Sequence, residues 1–130
     1  MNGNEISAKR GLAGENAVCD YLEGKGYEIV ARNYRIRGGE IDVIAKNSEY
    51  IAIVEVKTRK LNPFSQGYEA MTFSKKKRII LTAERFLSEN SFDLQPRFDV
   101  AYVTVSQEQT PRILDIEYYE GDFDATGVLI

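Results

Sequence analysis

Apolar residues recur along this 130-residue chain with two spacings, one of three to four residues and one of two. The first spacing predicts amphipathic helices, and the second predicts strands. Helical spacing occurs over residues 5–25, and again from a Ser74 cap to about residues 88–90. Five segments are predicted as strands, at residues 28–35, 40–46, 50–57, 97–105 and 112–119. This αβββαββ order predicts an α/β fold in which helices flank a mixed central sheet.

The two helices should each bury one stripe of side chains against the sheet. The predicted stripe of the first helix is Leu12, Val18, Cys19 and Leu22. That of the second is Ile79, Ile80, Ala83, Phe86 and Leu87. Residues 61–68 are predicted to be a loop because of Pro63 and Gly67, and residues 128–130 are too apolar for a free tail.

The second and third predicted strands carry acidic residues at alternate positions among Ile and Val. If a hairpin is centred on Ser48 and Glu49, Asp42 lies opposite Glu55. Directly opposed side chains are about 4.5–5.5 Å apart at Cβ, so two like charges there repel each other. Either Lys57, on the face of Glu55, or a divalent cation held by carboxylate oxygens could offset this repulsion.

Two further carboxylates could join this pair. Glu40 precedes Asp42 by two residues, so regular alternation predicts that both lie on one face. Glu15 falls on the inward stripe of the first helix, which would direct it at the sheet. It could instead reach solvent, or pair with an arginine such as Arg32.

The amino-acid composition excludes several classes of catalytic and metal-binding site. The chain contains no His and a single cysteine, Cys19, which excludes histidine base catalysis, histidine-ligated metals and an internal disulfide. We find no apolar run of about 20 residues and no amino-terminal signal pattern. The chain is therefore expected to be one cytoplasmic domain over residues 1–130, with no membrane partner and an acidic carboxy-terminal segment at 106–130.

The net charge of −3 conceals a basic part of the chain. Residues 1–100 carry 16 Lys and Arg against 14 Asp and Glu, and several of these cations are clustered. The clusters are Arg32, Arg35 and Arg37; Lys57, Arg59 and Lys60; and Lys75, Lys76, Lys77 and Arg78. Such groups could contact phosphate backbones, although runs of like charge are often only solvated faces.

Glu15, Asp42 and the string Glu55-Val56-Lys57 together resemble the PD-(D/E)XK nuclease superfamily. More narrowly, the chain is similar to the YraN family, also called UPF0102, over about residues 8–120. This narrower resemblance rests on residues 13–15, 39–45 and 54–59, with Ala70, the run Lys75–Arg78 and residues 97–100. The family in turn resembles archaeal Holliday-junction resolvases in its core.

The resemblance implies a restriction-endonuclease-like core and a metal-dependent endonuclease that acts on structured or branched DNA. In that family pattern Asp42, Glu55 and the Val56 carbonyl hold Mg²⁺ or Mn²⁺, and Glu15 adds a ligand directly or through water. Lys57 orients the attacking water and stabilises the developing charge. Arg59 and the run Lys75, Lys76, Lys77 and Arg78 contact the nucleic acid. Resolvases of this shape cut two strands as symmetric dimers, which implies a homodimer here.

Two other interpretations stay open at this point. The chain could be a nucleic-acid-binding module that keeps the fold with little or no cleavage. It could also be an interaction protein in which Asp42, Glu55 and Lys57 form only a cross-strand cluster of charges.

Overall fold

The computed structural model describes residues 2–62 and 70–126. It contains two helices, α1 (Gly3–Gly24) and α2 (Phe73–Glu89). The five strands are β1 (Glu28–Ile36), β2 (Gly39–Lys46), β3 (Tyr50–Lys60), β4 (Gln95–Val105) and β5 (Ile113–Phe123). The element order is the predicted αβββαββ.

The five strands form one sheet in the order β1-β2-β3-β4-β5. Strands β3 and β4 are parallel and joined through α2, whereas the other neighbouring pairs are antiparallel. A parallel pair needs such a crossover because its two strands run in the same direction. The predicted α/β fold with a mixed central sheet is therefore confirmed.

Each helix covers a different face of the sheet. Val18, Cys19 and Leu22 of α1 pack in one apolar cluster, with side chains such as Val54. Ile79, Ile80, Ala83 and Phe86 of α2 pack in the other, with side chains such as Ile53. Adjacent residues of β3 thus point to opposite helices, as the period of a strand requires.

Several local predictions differ from the structure. Leu12 is 56% exposed, because it lies off the stripe that contacts the sheet. The α2 cap is Thr72 rather than Ser74, and its hydroxyl accepts a hydrogen bond from the Lys75 N–H at 3.2 Å. Strand β5 extends to Phe123, further than predicted. The predictions for Pro63, Gly67 and residues 128–130 concern positions outside the described residues.

The β2–β3 hairpin has the predicted register. Lys46 pairs with Ile51 and Val43 pairs with Val54, which sets Asp42 opposite Glu55 at the open end of the ladder. The turn is fixed by Asn47, whose side-chain oxygen accepts the N–H groups of Glu49 and Tyr50. Neither helix of the described chain is long and apolar enough to cross a membrane.

Candidate active site

Asp42 lies where β2 separates from β3. The ladder between these strands ends at the Val43–Val54 pair, and beyond it Asp42 Oδ2 accepts a hydrogen bond from the Val56 N–H at 2.8 Å. Strand N–H groups lie in the plane of the sheet, so the carboxylate occupies the gap between the two strands. The Val56 carbonyl points to the same side as its N–H.

Glu55 lies beside Asp42 and is only 9% exposed. Burial, together with the negative charge of Glu55, raises the pKa of Asp42 to about 7. The Val56 N–H acts in the opposite direction because it stabilises the ionised form. A hydrogen bond between the two carboxyl groups also raises the pKa of Asp42, so Asp42 keeps its proton to a higher pH than an isolated carboxyl group does.

A lysine of α2 neutralises Glu55. Lys75 Nζ lies 3.3 Å from Glu55 Oε1, and the two side chains are 42% and 10% exposed. Lys57, one of the two candidates for offsetting the repulsion, does not form this ion pair, and Lys75 does. Lys57 is half-buried and takes part in no ion pair with another described residue. It shares the face of Glu55 but does not line the cleft described below.

Glu40 and Asp42 both line the cleft described below, although β2 departs from regular alternation between Ile41 and Val43. Ile41 packs on the α2 side, whereas Val43 packs on the α1 side. The irregularity coincides with Asn33, which the β1–β2 register places opposite Asp42 and which has φ of 53°. Asn tolerates this left-handed conformation better than most residues. Sequence reasoning missed Asn33, and an Asn inside a strand was the available signal.

Glu15 approaches from the α1 side. Its Oε1 accepts a hydrogen bond from Asn33 Nδ2 at 3.0 Å and lies 3.5 Å from Arg32 Nη2. The Arg32 partnership that the sequence left open is therefore present. Glu15 still lies close enough for its charge to contribute to the raised pKa of Asp42.

A glycine at each helix sets the distance to the strands of the site. A Cβ on Gly14 would overlap the hydroxyl of Thr58 in β3, so α1 and β3 approach closely just beside Glu15. A Cβ on Gly39 would likewise overlap the hydroxyl of Thr82 in α2. These contacts fix the helices on both sides of the site.

A cleft of about 490 Å³ opens over Asp42 and Glu55 between the β1–β2 turn and α2. We call it the carboxylate cleft. Its lining residues are Arg35, Ile36, Gly38, Gly39, Glu40, Asp42, Glu55, Lys75, Arg78 and Ile79. Arg35 and Glu40 form an ion pair of 3.2 Å at the rim. The cleft thus combines an acidic floor with cationic walls, an arrangement suited to a phosphate held beside a divalent cation.

The predicted basic run of α2 is divided among different surroundings. Lys75 and Arg78 line the carboxylate cleft, Lys76 lies over the Phe123 ring, and Lys77 is exposed. Arg59 lies over the Tyr102 ring, 5.2 Å from its centroid. Two of these five cations, Lys75 and Arg78, therefore contribute to the walls of the carboxylate cleft.

The donor set for a metal is a pair of carboxylates rather than a cluster of three. Within residues 2–62 and 70–126, no three Asp, Glu, Cys or His side chains lie close enough together to hold a metal ion. Asp42 and Glu55, with the Val56 carbonyl nearby, supply oxygen donors of the kind that Mg²⁺ prefers. Mg²⁺ commonly binds through one or two carboxylates and keeps several waters, so this pair fits it.

Comparison with known proteins gives a family but no activity. Residues 14–103 match the model of the "Uncharacterised protein family UPF0102". The chain is similar to a UPF0102 protein of Clostridioides difficile, with 37% identity over 116 residues that cover 88% of this chain and 98% of that protein. It is also similar to UPF0102 proteins of Chlorobium chlorochromatii (36% over 113 residues, 87% and 88%) and Rhodococcus opacus (40% over 104 residues, 79% and 88%).

Proposed function

The chain belongs to the uncharacterised protein family UPF0102. From the geometry of the carboxylate cleft we propose that the protein is a metal-dependent endonuclease that acts on structured or branched DNA. The observation that carries the proposal is the adjacent pair Asp42 and Glu55, in the gap between two strands and under a cleft with cationic walls. Two carboxylates this close repel each other when both are ionised, and this repulsion destabilises the fold. A bound cation would remove the repulsion, which supports a role for the pair in metal binding.

Asp42, Glu55 and the Val56 carbonyl are the proposed ligands of Mg²⁺ or Mn²⁺. The pair fits such an ion because a divalent charge stabilises the ionised form of Asp42, whose pKa is raised by burial and by the negative charge of Glu55. When bound, the ion would polarise a phosphate oxygen and lower the pKa of a bound water. Glu15, held by Arg32 and Asn33, is proposed to act through an intervening water rather than as a direct ligand.

The remaining residues position the phosphate backbone. Lys57 follows Glu55 on the same face and is proposed to orient the attacking water and stabilise negative charge that develops on the phosphate. Arg78 lines the carboxylate cleft opposite Arg35, and each can hold a phosphate in bidentate fashion. No recognition helix for base edges is evident in the sequence, which favours DNA structure over base sequence as the basis of selection. A homodimer would supply the second site that a four-way junction needs.

A second candidate is a nucleic-acid-binding protein with the same cleft and no cleavage. The Lys75–Glu55 ion pair favours it, because this pair neutralises Glu55 without any metal. The two candidates differ in their response to divalent cations. A binding protein keeps its DNA affinity in EDTA, whereas the nuclease requires the metal for product formation.

The test is a cleavage assay on single-stranded, duplex and four-way DNA, in Mg²⁺, Mn²⁺ or EDTA, with Asp42→Asn as the inactive control. Thermal melts are measured in parallel on both proteins. Wild type should gain about 2.7 kcal/mol of stability at a hundredfold excess of metal over Kd, and Asp42→Asn should lose most of this gain. Melts that do not respond to millimolar Mn²⁺ would contradict the metal site. Binding without product on every DNA form would favour the second candidate.

A further inference from the structure

The Lys75 ammonium already occupies the side of Glu55 that faces the carboxylate cleft. We propose that Lys75 is the resident counter-ion of the carboxylate pair and that a divalent cation displaces it, so that metal binding releases this lysine to bind a substrate phosphate. The inference rests on the proposed function, because it requires metal to bind at Asp42 and Glu55.

The two cations compete for the negative charge of Glu55. Lys75 Nζ lies 3.3 Å from Glu55 Oε1, whereas Mg²⁺ binds a carboxylate oxygen at about 2.0–2.1 Å. An ammonium and a divalent ion on the same carboxylate group would lie within a few ångströms of each other and repel. Lys75 is the partner that can leave, because its side chain is 42% exposed and its stem is flexible.

Lys75 differs from the arginines near the site because it pairs with one of the two carboxylates of the site. Arg32 pairs with Glu15 and Arg35 pairs with Glu40, so neither neutralises Asp42 or Glu55. Lys75 also lies in the first turn of α2, which contains no acidic residue. A positive charge is unfavourable at a helix amino terminus, so Glu55 rather than the helix holds the ammonium in place. Metal on Glu55 removes that attraction.

The released ammonium stays at the wall of the carboxylate cleft beside Arg78. A phosphate group is the anion that such a cleft would receive, since the cations Arg35 and Arg78 line the same space. Metal binding therefore both prepares the reaction centre and provides a further phosphate contact. This predicts an order of binding in which metal precedes the nucleic acid.

Calorimetric titration of Mn²⁺ tests the exchange without any measurement of cleavage. Removal of the competing ammonium in Lys75→Ala should tighten Mn²⁺ binding roughly fivefold, the scale of one partly exposed ion pair. Lys77→Ala is the matched control, since it removes the same charge from an exposed position of α2 outside the cleft. Its Mn²⁺ affinity should stay within about twofold of wild type. If Lys75→Ala fails to fold, Lys75→Gln keeps the stem and should show the same tightening.

Lysine acetylation followed by mass spectrometry measures the release directly. Lys75 of the wild type should be modified more slowly in EDTA than in Mn²⁺, while Lys77 is modified at the same rate in both. If wild type binds Mn²⁺ but neither Lys75 variant binds it more tightly, the exchange is overturned and the proposed function is retained. If wild type and variants bind no Mn²⁺, the metal site itself is overturned, and the exchange with it.

Discussion

Gly14 of α1 lies so close to Thr58 of β3 that a Cβ at this glycine would overlap the threonine hydroxyl. The contact holds α1 against the strand that carries Glu55, and it precedes Glu15 by one residue. Gly14→Ala should therefore force the helix outward and lower the free energy of unfolding by about 1–3 kcal/mol, the range seen for overpacked cores. Urea unfolding measures this loss.

Gly11→Ala is the matched control on the same helix. No atom lies within 4 Å of a Cβ at Gly11, so alanine there should add about 0.5–1 kcal/mol through helix propensity alone. The double variant Gly14→Ala with Thr58→Ala should recover part of the loss, because the second change removes the overlapping hydroxyl. Equal effects of alanine at the two glycines would contradict the close contact.

Arg97 and Asp99 form a buried ion pair on the α1 side of the sheet, and we expect it to support the fold rather than the chemistry. The Asp99 side chain is fully buried and accepts hydrogen bonds from Arg97, from the Tyr118 hydroxyl at 2.6 Å and from the Gly121 N–H at 2.9 Å. Burial and the negative charge of Asp99 raise the pKa of Tyr118, so its phenol stays a donor. Asp99→Asn should cost about 3–5 kcal/mol, because Arg97 loses its counter-charge.

Glu120 provides the comparison for this pair. It lies 3.7 Å from Arg97 but is 66% exposed, so Glu120→Gln should change the free energy of unfolding by no more than about 1 kcal/mol. Chemical denaturation of the two variants under identical conditions separates these expectations. A small loss in Asp99→Asn would show that the network tolerates an uncharged partner.

The sequence was sufficient to predict the element order, which follows from the helical and strand spacings, and the pair of carboxylates, which follows from strand periodicity and the hairpin register. A turn at Ser48 and Glu49 fixes the register, and the register alone places Asp42 opposite Glu55. Positions that follow a regular period, such as Ile79 and Ile80 in α2, were assigned to the core correctly for the same reason.

The other features of the site depend on irregular backbone and on contacts between segments that are distant in the chain, so they could not be predicted from the sequence. The irregularity of β2 at Asp42 coincides with the left-handed backbone of Asn33, and no periodic pattern encodes either feature. The Lys75–Glu55 ion pair depends on where α2 lies relative to β3, and the distance between the two residues in the chain does not fix this. For the same reason Lys57, which is close to Glu55 in the chain, was one of the two candidates for offsetting the repulsion, and Lys75 was not identified.

The raised pKa of Asp42 predicts how the stability of the metal-free protein depends on pH. The unfolded carboxyl releases its proton near pH 4, whereas in the folded protein it does so at about pH 7. Between these values the folded state binds more protons, so stability should fall as pH rises, by up to about 1.4 kcal/mol per pH unit. Urea unfolding in EDTA at pH 5 and pH 7.5 measures the fall.

Asp42→Asn measures the contribution of the interacting carboxylate pair, because groups distant from the pair titrate as before. The variant should lose less stability than wild type between the two pH values and should be the more stable protein at pH 7.5. Parallel pH profiles of the two proteins would mean that Asp42 ionises in the folded protein as easily as in the unfolded chain.

Lys57 and Arg78 are expected to separate catalysis from binding. Lys57 follows Glu55 on one face of β3, where its charge matters most as negative charge develops on the phosphate. Lys57→Ala should therefore slow metal-dependent cleavage by roughly a hundredfold or more while DNA affinity changes little. Arg78→Ala should instead weaken binding to all DNA sequences and reduce the log–log salt slope by about one unit. Single-turnover cleavage and fluorescence anisotropy at several salt concentrations measure the two effects. Cleavage that survives in Lys57→Ala would exclude this lysine from the reaction.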